Sequence, residues 1–257
     1  VNRIALHQST VHPLDPVGLV GLAVRAGIPS IGLRIAAVDE VEQWWSKGIG
    51  SAMLHALVPA LLEARVTVLD VGRVHLGPEL RVLDSSHAYT RVLELGVRLG
   101  AQFVTARAVQ DSADDPAELF AVLAELAARY RLRPLMTVVP GSPVATLDRA
   151  LAIVDGTTGG VVLDVSPGSQ GPADVEELVV ELGDALGYVR IPARELVDGG
   201  VPGLLATLPP HVAVAIGGAP TGEPEALHGV DAEVSRVAAL REAVDVMLRH
   251  PRAATGH

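Results

Sequence analysis

A strand-then-helix rhythm runs through this chain eight times without a break in composition. Such alternation is the sequence form of a parallel sheet with helical crossovers. The predicted strands are Arg3 to Ser9, Ser30 to Ala36, Val66 to Val71, Phe103 to Val109, Pro134 to Val139, Gly159 to Pro167, Tyr188 to Pro192 and Val212 to Ile216. Between them lie helical stretches with recognisable ends. Asp15 caps the first, with Pro16 at its opening position and Gly27 closing it. Val38 to Trp45 is broken at Gly48-Ile49-Gly50, and a second piece runs from Ser51 to Ala64 despite Pro59. Ser86 to Leu99 ends at Gly100. Asp115-Pro116 opens a helix to Tyr130 whose apolar positions Leu119, Val122, Leu123 and Leu126 fall on one stripe. Val144 to Val154, Ala173 to Leu186, the short Pro202 to Thr207 and Ala232 to Arg249 complete the series. At 257 residues the chain has the usual length of an α/β barrel, about 250 residues. The expectation is one (β/α)8 TIM barrel over residues 1–250, with 251–257 as a frayed tail.

Composition narrows the partners. Apolar residues make up 49% of the chain and aromatic ones only 3%, so the core is built from Val, Leu, Ile and Ala, which suit strands buried on both faces. A net charge of -10, with Lys47 as the sole lysine, argues against nucleic acid and against an anionic membrane surface. The absence of cysteine excludes disulfides, thiolate nucleophiles and Cys-ligated metals. No run reaches the roughly 18 to 20 apolar residues needed to cross a bilayer, and Val1-Asn2-Arg3 lacks a secretory layout. The chain reads as soluble and cytoplasmic.

In such a barrel the working residues sit at the C-terminal ends of the strands. Those ends carry His7 and Gln8, then Arg34, then Asp70, Arg73 and His75, then Arg107, Thr137, Asp164 and Ser166, then Arg190 and Arg194, and finally Ala215, Gly217 and Gly218. Asp164 is the one charge in the apolar run of the sixth strand. Guanidinium groups converging on one mouth are costly to bury without carboxylates or an anionic ligand, and their forked donors suit a carboxylate or phosphate. Two readings are open: Arg34, Arg107 and Arg190 pair with Asp70 and Asp164 inside the barrel, or they hold a small anion. His7 and His75 are either hydrogen-bonding residues or general bases. His55 belongs to a helix face, and Trp44-Trp45 to packing or an interface. No dinucleotide fingerprint, Walker loop, zinc-protease motif or nucleophile elbow occurs. Gly156 to Gly160 precedes a strand, the wrong side for a phosphate cradle.

The run Ala26-Gly27-Ile28-Pro29-Ser30-Ile31-Gly32-Leu33 resembles a signature of the sugar phosphate isomerase/epimerase family, the xylose-isomerase-like TIM barrels. Gly96-Val97-Arg98-Leu99-Gly100-Ala101, Thr146-Leu147-Asp148-Arg149-Ala150-Leu151 and Val161-Val162-Leu163-Asp164 follow in register. Enzymes of that family usually hold a divalent cation with a Glu on strand five, an Asp on strand six, a His on strand seven and a Glu on strand eight. Here the corresponding slots resemble Thr137, Asp164, Arg190 and Ala215, and one carboxylate is no cage for a hard cation. The resemblance therefore implies an isomerase or epimerase of a small anionic substrate, without metal or other cofactor. Asp164, His7 and His75 are the candidate catalytic residues. Arg34, Arg73, Arg107, Arg190, Arg194 and Thr137 are the candidate substrate-binding residues. A non-catalytic binding barrel is the alternative, and a metal site rebuilt from His7, Asp70, His75 and Asp164 a third reading. A homodimer is a further expectation.

Overall fold

In the computed structural model, residues 3–10, 14–34, 52–81, 87–109, 114–165, 172–192, 208–209, 211–217, 237–238 and 241 are described. Within them eight strands follow one another: Ile4–His7 (β1), Ser30–Arg34 (β2), Thr67–Leu76 (β3), Phe103–Ala108 (β4), Arg133–Thr137 (β5), Gly160–Asp164 (β6), Leu186–Pro192 (β7) and Ala213–Gly217 (β8). Each pairs in parallel with its neighbour in sequence, and β1 also pairs with β8, with Ala5 opposite Ala215. The sheet is a closed barrel, which leaves no edge strand. Six helices stand between strands: Pro16–Arg25 (α1), Ala52–Ala64 (α2), His87–Leu99 (α3), Pro116–Arg129 (α4), Leu147–Val154 (α5) and Pro172–Leu182 (α6). The architecture is the (β/α)8 barrel expected from the sequence.

Two apolar layers explain the near-continuous hydrophobic strands. Outward-facing residues such as Ile4, Leu6, Val104 and Val189 meet Leu19, Leu22, Leu93, Leu123 and Ile153 from the helices. Inward-facing Ala5, Leu69, Leu135, Val162, Tyr188 and Ala215 fill the lower barrel. The Tyr188 ring packs against Phe103 with centroids 5.8 Å apart, so the lumen floor is solid. Helix starts follow the expected chemistry. Asp15 accepts from the Gly18 amide and Asp115 from the Ala117 amide, with proline next in each case; both satisfy otherwise orphaned helix donors. Arg3 ties the first strand to the last by donating to the carbonyls of Pro209 and Val212.

Several boundaries differ from the sequence reading, three of them for a visible physical reason. β3 continues five residues past Val71 to Leu76, because Val74, His75 and Leu76 pair with Ala106, Arg107 and Ala108 of β4. His75 is therefore a strand residue and not part of a loop. The sixth helix stops at Leu182, where Gly183 and Asp184, both poor helix formers, enter a short 3₁₀ turn that runs directly into β7. The fifth begins at Leu147 instead of Val144, since Thr146 caps it by accepting from the Arg149 amide. Val38 to Trp45, the Trp44-Trp45 pair, Pro202 to Thr207, most of Ala232 to Arg249 and residues 251–257 lie outside the described residues, as do Ser166 and Arg194. Among the described residues no helix is long and apolar enough to cross a membrane.

Candidate functional site

The mouth of the barrel is shaped by irregularities in β3. Ile31 and Gly32 of β2 face Val68 and Asp70, skipping Leu69. Such a bulge puts two successive side chains on one side: Leu69 joins the inner apolar cluster, and Asp70, fully buried, comes to lie against His7 of β1. A second shift between Val71 and Val74 accommodates Gly72 and Arg73. Gly32 makes the first arrangement possible. A Cβ there would run into Asp70 and sit 2.5 Å from the His7 ring.

His7 is oriented from both sides. The Ser9 amide donates to Nδ1 at 3.2 Å, and the Ser9 hydroxyl lies 2.7 Å from the same nitrogen. With Nδ1 accepting, the ring proton of neutral His7 resides on Nε2, which is 3.6 Å from Asp70 Oδ2. That separation is an electrostatic contact, longer than a hydrogen bond. Burial lowers the His7 pKa, Asp70 opposes it, and Arg190 and Arg34 add to the lowering. The imidazole is thus held neutral. The Tyr188 hydroxyl is also fully buried and has no hydrogen-bond partner among the described residues; burial first, then Asp70, pushes its pKa well up, with Arg190 opposing.

At the β6–β7 exit, Arg190 and Asp164 are register partners. Arg190 Nε donates to Asp164 Oδ1 at 2.5 Å and Nη2 to Oδ2 at 2.7 Å, a bidentate geometry that a lysine cannot reproduce. Both side chains are almost fully buried. Burial alone would lower the Arg190 pKa, but Asp164 more than compensates and the group is raised. The stem of Arg190 passes over β8 where Gly217 leaves room, since a Cβ there would lie 2.7 Å from Arg190 Cδ. Thr137 spends its hydroxyl proton on the Ala106 carbonyl, 2.9 Å away.

Across the barrel stand Arg73, His75 and Arg107, each half-buried, with Arg34 beside them on β2. Burial, then Arg190, Arg34 and Arg107, lowers the Arg73 pKa to about 10, with Asp164 opposing. Burial, Arg107 and Arg73 likewise lower that of His75. These effects place Arg73 within electrostatic reach of Arg34, Arg107 and Arg190. Among the described residues, Asp70 and Asp164 are the acids set beside Arg34, Arg73, Arg107 and Arg190.

The structure thus brings His7, Arg34, Arg73, His75, Arg107, Thr137, Asp164 and Arg190 to one end of the barrel. It pairs Arg190 with Asp164, as one sequence reading had it, but gives Asp70 to His7 instead of to an arginine. Tyr188, whose alternation with Arg190 on a buried strand was legible, is an unforeseen member. His55 is exposed on α2, and His211 is exposed in a turn before β8.

The resemblance seen in the sequence assigns the slots of a cation's ligands to Thr137, Asp164, Arg190 and Ala215. Asp164, Arg190 and Ala215 are register partners across β6, β7 and β8, Thr137 pairs with Val162 two residues below Asp164, and both Asp164 oxygens are already held by a guanidinium. This donor set does not fit a divalent cation. Nor do His7, Asp70, His75 and Asp164 converge, because among the described residues no three His, Asp or Glu side chains group as a metal cage.

No family model matches the sequence, and no curated protein matches it. Solved structures do. The fold defines a closed (β/α)8 barrel, and xylose isomerase-like proteins are among the barrels it is similar to. One is a xylose isomerase-like TIM barrel/4-hydroxyphenylpyruvate dioxygenase fusion protein, 14% identical with a TM-score of 0.70 over 99% of this chain and 45% of that one. This chain therefore spans less than half of the fusion protein. A second is the IolI protein in a crystal structure with bound zinc, 13% identical, TM-score 0.65, covering 97% of both chains. A third is D-allulose 3-epimerase from Methylomonas sp., 14% identical, TM-score 0.66, covering 94% and 97%.

Proposed function

We propose that this barrel is an isomerase or epimerase of the xylose-isomerase-like kind that acts on a small anionic hydroxy-carbonyl compound without a divalent cation at the β5–β8 exits. The observation that carries this reading is the buried bidentate pair of Arg190 and Asp164, set among positions where ligands to a cation would stand. Proton transfer next to a carbonyl builds negative charge on oxygen, and fixed donors in a partly dry site stabilise it at no reorganisation cost. Arg190, locked by Asp164, and Arg34 supply that charge. Asp164, with both oxygens engaged, acts by anchoring Arg190 and is poorly placed to move a proton itself. His7, buried 3.6 Å from Asp70, carries the transferable proton on Nε2, and the neutral state of its ring suits acid–base work near pH 7. The D-allulose 3-epimerase similarity supports the reaction class only through the shared fold.

The test is deuterium exchange in D2O. Phosphorylated sugars and hydroxy or keto acids are incubated with the protein, and loss of the carbon-bound proton is followed by NMR with EDTA or with added Mn²⁺ or Mg²⁺. Exchange that survives EDTA and disappears in Arg190→Ala and His7→Gln is expected. Exchange that appears only with metal sinks the metal-free assignment; ligand binding without exchange favours a non-catalytic binding barrel.

A further inference from the structure

Tyr188 is a buried titratable group to which the proton chemistry above gives no task. Its hydroxyl lies inside the barrel without a hydrogen-bond partner among the described residues, and both carboxylate oxygens of Asp70 lack one as well. The first group has a proton to donate, and an ionised carboxylate has only lone pairs to offer. Both side chains are closed off from solvent, so bulk water satisfies neither. The framework brings them together. Asp70 is the register partner of Phe103, and the Phe103 ring packs against that of Tyr188 with centroids 5.8 Å apart. After burial, Asp70 is the largest influence on the Tyr188 hydroxyl, ahead of Arg190, which opposes it, and Asp164. The same carboxylate stands 3.6 Å from His7 Nε2. Asp70 is therefore faced by two donors, one from β1 and one from β7.

The charged and titratable groups around His7 are Asp70, Arg190 and Arg34, and those around Tyr188 are Asp70, Arg190 and Asp164. Asp70 and Arg190 act on both, but only the carboxylate can accept a hydrogen bond from each, since a guanidinium has donors alone. We propose that Tyr188 is a positioning residue for His7: its hydroxyl donates to Asp70 and shares that carboxylate with the imidazole, which holds the acid in place beside the His7 ring. Such bonds are commonly long before a substrate is bound and tighten afterwards. A carboxylate shared between two donors pulls less on each, so Tyr188 moderates the grip of Asp70 on the imidazole. The use of this device in the reaction rests on the isomerase reading, in which His7 moves the proton, whereas the coupling itself needs no substrate.

The coupling is read by NMR on histidine-labelled protein, with the His7 signals assigned from His7→Gln. Tyr188→Phe keeps the ring against Phe103 and removes only the oxygen. The His7 pKa is expected to rise by about half a pH unit in this variant, about a threefold gain in proton affinity and the scale of one neutral hydrogen bond, because Asp70 then serves His7 alone. In Asp70→Asn the His7 pKa falls instead. Adding Tyr188→Phe to Asp70→Asn has no further effect, the mark of a residue that acts through its neighbour. The Nε2 ¹⁵N shift at pH 7 gives the same comparison without a titration: it moves in Tyr188→Phe alone and stays put when Tyr188→Phe is added to Asp70→Asn. Tyr130→Phe, the same loss of a hydroxyl at the end of α4, leaves His7 unchanged. A residue that only filled space would lower Tm and leave His7 where it was. A His7 pKa and shift unmoved by Tyr188→Phe overturn the positioning role, as does a change of equal size in the Asp70→Asn background. The NMR pattern as expected, with no carbon-bound proton exchanged in any compound offered, keeps the coupling and removes the isomerase reading.

Discussion

Arg190 and Asp164 close a two-point clamp at 2.5 and 2.7 Å with only 4% and 10% of their side chains accessible. The clamp lies in a mouth already rich in positive charge, so its two halves are not equivalent. Removing the acid by Asp164→Ala leaves a buried guanidinium near three others, and the expected loss is about 3–5 kcal/mol. The double variant Asp164→Leu/Arg190→Met, which removes both charges, recovers most of that loss. Urea denaturation of the three proteins measures the difference. An Asp164→Ala variant as stable as the wild type would show that the clamp contributes nothing.

His7 and His75 both have pKa values below the ordinary 6.5, burial being the first cause for each. The unfolded chain therefore binds protons at a pH where the folded chain does not. Stability is fully present above about pH 6.5 and falls as pH drops from there toward the folded-state values, by up to about 1.4 kcal/mol per pH unit for each histidine. Burial fixes the sign, reinforced by Arg190 and Arg34 and opposed by Asp70 at His7, and reinforced by Arg107 and Arg73 at His75. His7→Gln should flatten the slope of unfolding free energy between pH 6.5 and 5. An unchanged slope in both His7→Gln and His75→Gln would place the acid sensitivity elsewhere.

Gly32→Ala puts a methyl group into Asp70 and against the His7 ring. Overpacking of this kind costs about 1–3 kcal/mol, and here it also separates the His7–Asp70 pair. The expected result is a lower Tm together with a His7 pKa, read by NMR, that falls further as the carboxylate moves away. A variant with an unmoved His7 resonance would show that the pair does not depend on this close approach.

Thr137→Val keeps shape but removes the donor to the Ala106 carbonyl. A lost net hydrogen bond costs about 1 kcal/mol, so stability drops modestly. Anion affinity stays at the wild-type value, because the hydroxyl proton is already spent between β4 and β5. A marked loss of anion affinity would instead make Thr137 a direct ligand, as the strand-exit pattern alone suggested.

The architecture was legible because its signals are local. Asp15-Pro16 and Asp115-Pro116 open helices as their chemistry dictates, and Leu119 and Leu123 turn inward from the stripe on α4. The arginines were legible as a set for the same reason, each standing at the end of an apolar run. What stayed hidden was non-local. Strict alternation sends Asp70 toward the helices, and only the skipped residue Leu69 in the pairing with β2 turns it inward. That skip has no signature in the sequence of β3. The continuation of β3 to His75 depends on β4 offering Arg107 as its partner. Tyr188 read as one more buried strand residue, since nothing nearby in sequence announces Asp70.

Pairing of Ala5 with Ala215 sets the timetable of assembly. During synthesis β1 emerges before the other strands of the barrel, yet the neighbour on its far side follows about two hundred residues later, so one flank of the sheet waits as an open hydrogen-bonding edge, a template for aberrant partners until the ring is sealed. The donation from Arg3 to the Pro209 and Val212 carbonyls is made only at that last moment, and it fastens the seam.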